Sequence, residues 1–407
     1  MYKENTEQGL DFEALHQKEA AEKLVTAIDY TRPLKEYPTA TEIADFIRGR
    51  KATKHIYTKD LNFQGVVVQD SFEKYLSNPA YNSGALKEAL KTPMHLYFYK
   101  QSGWRDELER YEKKKDYFDL GTFLHMCLLE PTKFSRVVIE PKYSTASKEG
   151  VNNLISFWQD KLNEIGTVEV DGREATAQEG IEAARLAVED MQLSIAKMDG
   201  LKAYLNILRK ISGVEPVQEK HFLIIDIIRK NYERYADGII PELIKHSKRE
   251  VSIYGKDPAT GLDVRVRPDA LQFAENIGSN SIVSVKSTSA ESLSHYYYQA
   301  AKMQYELTEG MYQEVASKAT GRDFNTTINV IFQTVAPYGV ALTVWDAEDI
   351  EIGKYKYHMA LQTAKECEES GLYPGYDAYA ERGNFGLINM KLPQWISKEL
   401  LPQEIES

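Results

Sequence analysis

Two runs with the period of a β-strand each end in a charged side chain, Asp269 and Lys286, seventeen residues apart. The first, Leu262-Asp263-Val264-Arg265-Val266-Arg267, alternates apolar and polar residues before Pro268 and Asp269. The second, Ser281-Ile282-Val283-Ser284-Val285, is mostly apolar and closes on Lys286. Residues Asn276 to Asn280, with Gly278 and Ser279, have turn composition and separate the two. Adjacent strands of this kind place a carboxylate beside an ammonium. A carboxylate holds a hard divalent ion, and a lysine steadies an attacking water or a charged phosphate. The pair therefore points to a metal-dependent phosphodiesterase geometry.

The rest of the chain allows this. Its 407 residues suffice for one large domain or two medium ones, and 43% apolar with 27% charged residues suits a globular core. It contains no run of about eighteen apolar residues, so no membrane span is expected. The N-terminus lacks the apolar stretch of a secretory signal, and a cytoplasmic location is expected. Two cysteines, Cys127 and Cys367, fit a reducing compartment and are too few to ligate an iron–sulfur cluster. The net charge of −11 argues against a basic coat for nonspecific DNA binding but leaves room for a local basic groove.

Along the chain, residues 1–75 read as a polar, acidic extension. A helix is expected from Ala40, capped by Thr39 or Thr41. The basic run from Arg48 to His55 reads as a solvated face, with a DNA-contacting loop as the alternative. Residues 76–380 form the main domain, with a helical insertion at about 145–215, and residues 381–407 a tail. Ser83 is expected to cap a helix that ends or kinks at Thr92-Pro93. Asp119 to Pro131 reads as an apolar helix whose strongly polar members are His125 and Glu130. Glu130 lies about 500° around that helix from His125 and reads as structural. Strands are expected at Glu250–Tyr254, Thr327–Gln333 and Val340–Trp345, and helices at Ser292–Ala319 and 348–370, the latter stopped by Gly371. This order suits an α/β (α+β) chain with a mixed sheet flanked by helices.

The Pro268-Asp269…Ser284-Val285-Lys286 stretch resembles the Pro-Asp…(Asp/Glu)-x-Lys signature of the PD-(D/E)XK nuclease superfamily. It is similar, more narrowly, to the branch containing the RecE-type exonucleases (exodeoxyribonuclease VIII). Gly121-Thr122-Phe123-Leu124-His125 resembles that branch's Gly-x-x-x-His motif. The likeness runs from about residue 78 to 378 and takes in Ala336-Pro337-Tyr338 and Tyr373-Pro374-Gly375-Tyr376. It implies a restriction-endonuclease-like mixed central sheet. It also implies that His125 and Asp269 hold Mg²⁺ or Mn²⁺ and that Asp269 and Lys286 are catalytic. Ser284, Ser287, Thr288, Thr308 and Tyr312 would contact substrate.

The chain departs from the motif twice. Ser284 stands where the acid two residues before the lysine is expected, and Thr308 where the following helix has a glutamine. A hydroxyl is a weak ligand for a hard cation. Coordination of the ion by the backbone carbonyl of Val285 is one remedy, and a displaced acid is another, for which Glu306 and Glu309, three apart on a helix face, are available. The plain reading of those two glutamates is a solvated helix surface. Glu250 and Gln299 are further candidates. The resemblance implies a metal-dependent exonuclease acting on duplex DNA ends in phage-type recombination, in a bacterial or phage-infected cell. A ring-shaped homo-oligomer and a single-strand annealing partner belong to the same picture. The alternatives are a catalytically impaired nuclease-like module that binds DNA or a protein partner, and a structural component that reuses the fold.

Overall fold

The computed structural model describes residues 37–49, 67–101, 103, 108, 116–134, 136–381 and 383–390. Most of the expected extension, the basic run beyond Gly49 and the end of the tail lie outside these residues. The described chain opens with α1 (Ala40–Gly49), capped by Thr39, and the short strand β1 (Val67–Val68). Helices α2 (Phe72–Ser77), α3 (Ser83–Ala89), α4 (Pro93–Lys100) and α5 (Asp116–Leu129) follow, then a turn of helix α6 (Pro131–Phe134) and β2 (Val137–Glu140). Next come α7 (Lys148–Ile165), the hairpin β3 (Thr167–Val170) and β4 (Arg173–Thr176), α8 (Ala177–Asp190) and α9 (Met198–Ser212). These elements bury a cluster of their own around Trp158, Leu205 and Leu208. Strand β5 (Glu215–Gln218) then returns to pair in parallel with β2.

Helices α10 (Glu219–Arg234) and α11 (Ile239–Ile244) lead into β6 (Lys248–Arg249), β7 (Ser252–Lys256), β8 (Asp263–Val266) and β9 (Ala270–Gln272). The single turn α12 (Ala274–Ile277) precedes β10 (Asn280–Thr288), α13 (Leu293–Lys302) and α14 (Tyr305–Thr320). Strands β11 (Phe324–Gln333) and β12 (Val340–Val344) and helix α15 (Ala347–Ser370) complete the order. The central sheet runs β12-β11-β10-β9-β6, with β10 and β11 parallel and the other pairs antiparallel. A second sheet pairs β1, β7 and β8.

Strand β10 is buried over most of its length, and its two faces serve different layers. Val283 and Val285 join Val330 and Phe332 of β11 against Leu124 and Leu128 of α5 and Ile225 and Ile228 of α10. Ile282, on the other face, packs with Leu86 of α3, Met311 of α14 and Leu361 of α15. The molecule is thus a mixed α+β fold with helices on both faces of its central sheet. No helix among the described residues is long and apolar enough to cross a membrane.

Three local expectations need correction. Asn82, not Ser83, caps α3: its side chain accepts the Ala85 N–H at 2.9 Å. The helix expected over Ser292–Ala319 is two helices. Met303 caps α13, and Gln304 (φ 50°) turns the chain through the left-handed region before α14 starts. The break lets α13 cover Ile331 while α14 packs on the central cluster. Finally, Glu306 and Glu309 are not solvated: α14 lies between the sheet and α15, and Glu309 is wholly buried.

The α14–α15 crossing explains how an acidic helix face comes to be enclosed. Gly310 and Gly353 meet there, and a Cβ on Gly310 would lie 2.7 Å from the Lys354 backbone nitrogen. A Cβ on Gly353 would collide with the Glu306 carbonyl. Gly353→Ala is therefore expected to force the helices apart, at about 1–3 kcal/mol for an overpacked contact. Urea unfolding checks this, and an unchanged midpoint would mean that the helices do not pack this closely.

Candidate active site

The site forms where the central ladders end. The β6–β9 pairing stops at Arg249 opposite Ala270, which sets Glu250 beside Asp269; the Glu250 N–H donates to the Asp269 carbonyl at 3.1 Å. The β9–β10 pairing stops at Val283 opposite Ala270, which sets Asp269 beside Ser284. There the Asp269 carboxylate continues the ladder, its Oδ2 accepting the Val285 N–H at 2.5 Å. An extended residue projects its N–H and C=O from the same strand edge, so the Val285 carbonyl faces Asp269 as well. Helix α5 reaches this corner from the other side of the sheet. The Arg249 guanidinium donates to the Leu129 carbonyl at 3.0 Å and fixes the end of that helix.

His125 lies between the two acids. Its Nδ1 is 3.2 Å from Glu250 Oε1 and its Nε2 is 3.2 Å from Asp269 Oδ1. Ligand atoms of His125, Glu250 and Asp269 all fall within 4.8 Å of one another. Glu250 is held from behind: Arg267 Nε is 3.2 Å from its Oε2, while Arg267 Nη1 contacts Asp70 Oδ1 at 3.1 Å and Ser252 Oγ at 2.7 Å. Sequence reasoning gave Glu250 little weight, because the apolar run after it reads as a strand that includes it. The strand begins at Ser252, and Glu250 (φ 52°) is a left-handed corner. The one local signal is the charged pair Arg249-Glu250 at the head of an apolar run, a mirror of Arg267-Pro268-Asp269.

On the α14 face, Ser284 Oγ donates to Glu309 Oε2 at 2.8 Å, and Lys286 Nζ lies 3.2 Å from Glu309 Oε1. An acid from α14 thus reaches the position that Ser284 leaves without a charge. Glu306 turns away to Lys356 at 2.6 Å. Lys87 of α3, unremarked as a site residue in the sequence, lies 5.4 Å from the Tyr305 ring centroid, and Lys286 lies 5.2 Å from the same centroid.

The remaining candidates divide. Tyr312 is at the site: burial, with the nearby charges of Asp269, Glu309 and Glu250, holds its phenol well above the usual value. Thr308 is buried on α14. Thr288 donates to Gln299 Oε1 at 2.6 Å, which ties the end of β10 to α13 and engages both. Ser287 projects from the other face of β10, against Gly121 of α5, away from Ser284 and Lys286.

The charges reinforce one another. Burial pulls the His125 imidazole down, but Asp269 and Glu250 prevail and hold it up at about 10. Burial raises Asp269, yet His125, Lys286 and the Val285 N–H keep it below the usual carboxylate range. Burial would lower Lys286, but Glu309 and Asp269 hold it above an ordinary lysine. Lys87 is pulled down to about 8, first by burial and then by Lys286. A second group, Asp257, Glu314 and His358, also brings possible ligands together. Lys318 pairs with Glu314 there, and Asp257 binds Thr260 through its N–H and hydroxyl at 2.8 and 2.7 Å, so that group ties the β7–β8 turn to α14 and α15.

No family model matches the chain, and no curated protein matches it. Among solved structures it is similar to a protein from Eubacterium rectale described as a candidate exonuclease, at 12% identity and a TM-score of 0.38, over 82% of this chain and 99% of that one. It is also similar to the protein SSO0001, at 11% identity and a TM-score of 0.18, over 50% of this chain and 84% of that one. Both likenesses are shallow.

The His125 shift gives a pH signature. The folded value is raised, so the ion pair's contribution is full below the free-histidine value of 6.5 and is lost as pH rises through about 10. In chelator-treated protein, the thermal-stability gap between wild type and His125→Gln should narrow across that window. A constant gap would exclude a protonated His125 held by the two acids.

Proposed function

We propose that the chain is a metal-dependent deoxyribonuclease of the PD-(D/E)XK type, hydrolysing phosphodiester bonds at duplex DNA ends. The observation that carries this reading is the convergence of Glu309 on Ser284 and Lys286, beside Asp269, where the motif needs an acid and the strand lacks one. His125, Glu250, Asp269 and the Val285 carbonyl would hold Mg²⁺ or Mn²⁺. The donor set fits: it is mostly oxygen, and the ligand atoms of His125, Glu250 and Asp269 all lie within 4.8 Å of one another. Bound there, such an ion supplies Lewis acidity to a phosphate oxygen and lowers the pKa of a water.

The chain's own groups do the rest. Lys286, kept charged by Glu309, faces the negative charge that builds on the phosphate. Lys87 adds a second ammonium near the same Tyr305 ring. Arg267 positions Glu250, and the Val285 N–H orients Asp269. Phage-type recombination, a ring-shaped assembly and an annealing partner rest on the motif resemblance and belong to the same proposal, as does a cytoplasmic setting.

One observation favours a second reading, a nuclease-like module that binds DNA or a protein partner without cleaving. His125 already bridges Glu250 and Asp269, and Lys286 already pairs with Glu309, so the charges compensate without an ion.

Linear duplex DNA with Mg²⁺ or Mn²⁺ separates the two. Wild type is expected to cleave, with Lys286→Ala and Glu309→Gln reduced by roughly a hundredfold. If neither metal raises cleavage above the Lys286→Ala level, the nuclease reading falls and the binding module stands. A second expectation concerns the displaced acid itself. Ser284→Glu should restore part of the activity lost in Glu309→Ala, measured as kcat/KM on the same duplex. No recovery in a folded double variant would mean that Glu309 does not stand in for the strand acid.

A further inference from the structure

Further along α14 than Glu309, Glu314 enters a second group of ligand-type side chains. Asp257, in the turn between β7 and β8, and His358 of α15 complete it. One ligand atom from each lies within 4.8 Å of the other two. Hydrogen bonds and ion pairs engage most of the polar atoms of these residues, with Asp257 Oδ1 as the exception.

The turn holds Asp257 by its other oxygen. Oδ2 accepts the Thr260 N–H at 2.8 Å and the Thr260 hydroxyl at 2.7 Å. The Asp257 N–H donates to the Leu262 carbonyl at 2.9 Å, and its carbonyl accepts the Gly261 N–H at 2.8 Å. The carboxylate is thereby oriented from behind, with Oδ1 turned into the group. The side chain has no exposure, and Oδ1 has no hydrogen-bond partner among the described residues. The charged groups that face it are His358 Nδ1 and Lys318 Nζ, each 3.9 Å away. Neither contact is short enough for a hydrogen bond, and a buried carboxylate oxygen without one is unusual.

His358 explains what such an oxygen could receive. Its Nε2 lies 2.7 Å from Glu314 Oε2, and a carboxylate only accepts, so Nε2 carries a proton. In the neutral imidazole the Nδ1 lone pair then points toward the Asp257 oxygen. Two electron-rich atoms face each other across 3.9 Å, a gap that one ion spans with bonds of about 2.0–2.2 Å to each. Ligation through one histidine nitrogen, with the other donating to a carboxylate, is the common arrangement at metal sites. Lys318 marks the same place from outside. Its ammonium pairs with Glu314 Oε1 and faces Asp257 Oδ1, and its side chain is 44% exposed, so it can turn to solvent and admit an ion.

We propose that Asp257, Glu314 and His358 form a second cation site, for a divalent transition-metal ion, which clamps the β7–β8 turn to α14 and α15. The imidazole nitrogen favours an ion such as Zn²⁺ over Mg²⁺ or Ca²⁺, which prefer oxygen alone. Asp257 Oδ1 and His358 Nδ1 are the primary ligands, and a Glu314 oxygen joins them when Lys318 withdraws. The role is structural, and it does not rest on the deoxyribonuclease reading.

The test uses chelator-treated full-length protein titrated with Zn²⁺ by calorimetry, with bound metal counted after gel filtration. Wild type should hold an ion that His125→Gln keeps and His358→Gln loses, with affinity at this site reduced at least about a hundredfold in the latter. Zn²⁺ should raise the thermal midpoint of wild type and of His125→Gln but not of His358→Gln. Lys318→Ala should bind Zn²⁺ more tightly than wild type, because the competing ammonium is gone. A purely electrostatic tie predicts no such gain, and this exposed change decides the matter even where His358→Gln does not fold. A metal count that folded His358→Gln leaves unchanged, or no tightening in Lys318→Ala, overturns the proposal. No DNA enters the measurement, so its outcome is independent of whether the chain cleaves.

Discussion

The buried contact between Lys286 and Glu309 organises the half of the molecule that carries the central sheet. An ammonium in the middle of a packed sheet face costs too much to bury alone, and so does a carboxylate with no exposure. Each is tolerable because the other is there and because the Ser284 hydroxyl occupies the second carboxylate oxygen. This fixes which side of α14 faces β10. That orientation in turn requires α14 to leave α13 at a sharp angle, and Gln304 provides the corner. It also requires α15 to close over the other side of α14, and Gly310 and Gly353 allow the backbones to approach. A charged pair, a strained corner and a glycine crossing are therefore one constraint expressed at three places.

That constraint separates what the sequence displays from what it hides. Asp269 and Lys286 stand at the ends of runs with strand periodicity, and His125 on an apolar helix, so local pattern alone brings out all three. Their meeting follows from which ladders stop where, and the hydrogen bond from Val285 to Asp269 completes it. Glu309 is visible as a residue but not as a buried one. A pair of glutamates three apart looks like a wet helix stripe, because the enclosure comes from the distant Gly353 and not from any neighbour in sequence. Glu250 is hidden for a different reason. Glutamate is an uncommon residue in the left-handed region, so nothing in its type announces a corner, and the run after it invites extension of the strand backwards. The break at Gln304 was hidden in the same way.

The corner at Glu250 carries a consequence for the missing acid. In a site with Asp269 and an acid two residues before the lysine, the strand carboxylate lies close to both the ion and the ammonium. On the nuclease reading, those two tasks fall here to different residues. Glu309 has one oxygen on Ser284 and the other beside Lys286, so its charge is spent largely on the lysine. Glu250 Oε1 faces His125, close to Asp269, so on the nuclease reading it would be the second negative ligand of an ion. Arg267 draws on the other oxygen of Glu250, yet it shares its charge with Asp70.

This division makes His125 the group on which the two functional readings turn. Lys286 keeps its proton in both, because Glu309 stays beside it. Asp269 keeps its charge in both, because a cation lies beside it either way. What differs is the identity of that cation: a protonated imidazole in the closed network, or a divalent ion with a neutral imidazole as one of its ligands. A metal site of this kind forms by expelling a proton, and its affinity climbs with pH for as long as His125 would otherwise be charged. The same two acids that make the corner attractive to an ion make the histidine hard to deprotonate. The strength of the site is thus set by the difference between two attractions to one pair of carboxylates, and not by the number of acids that converge there.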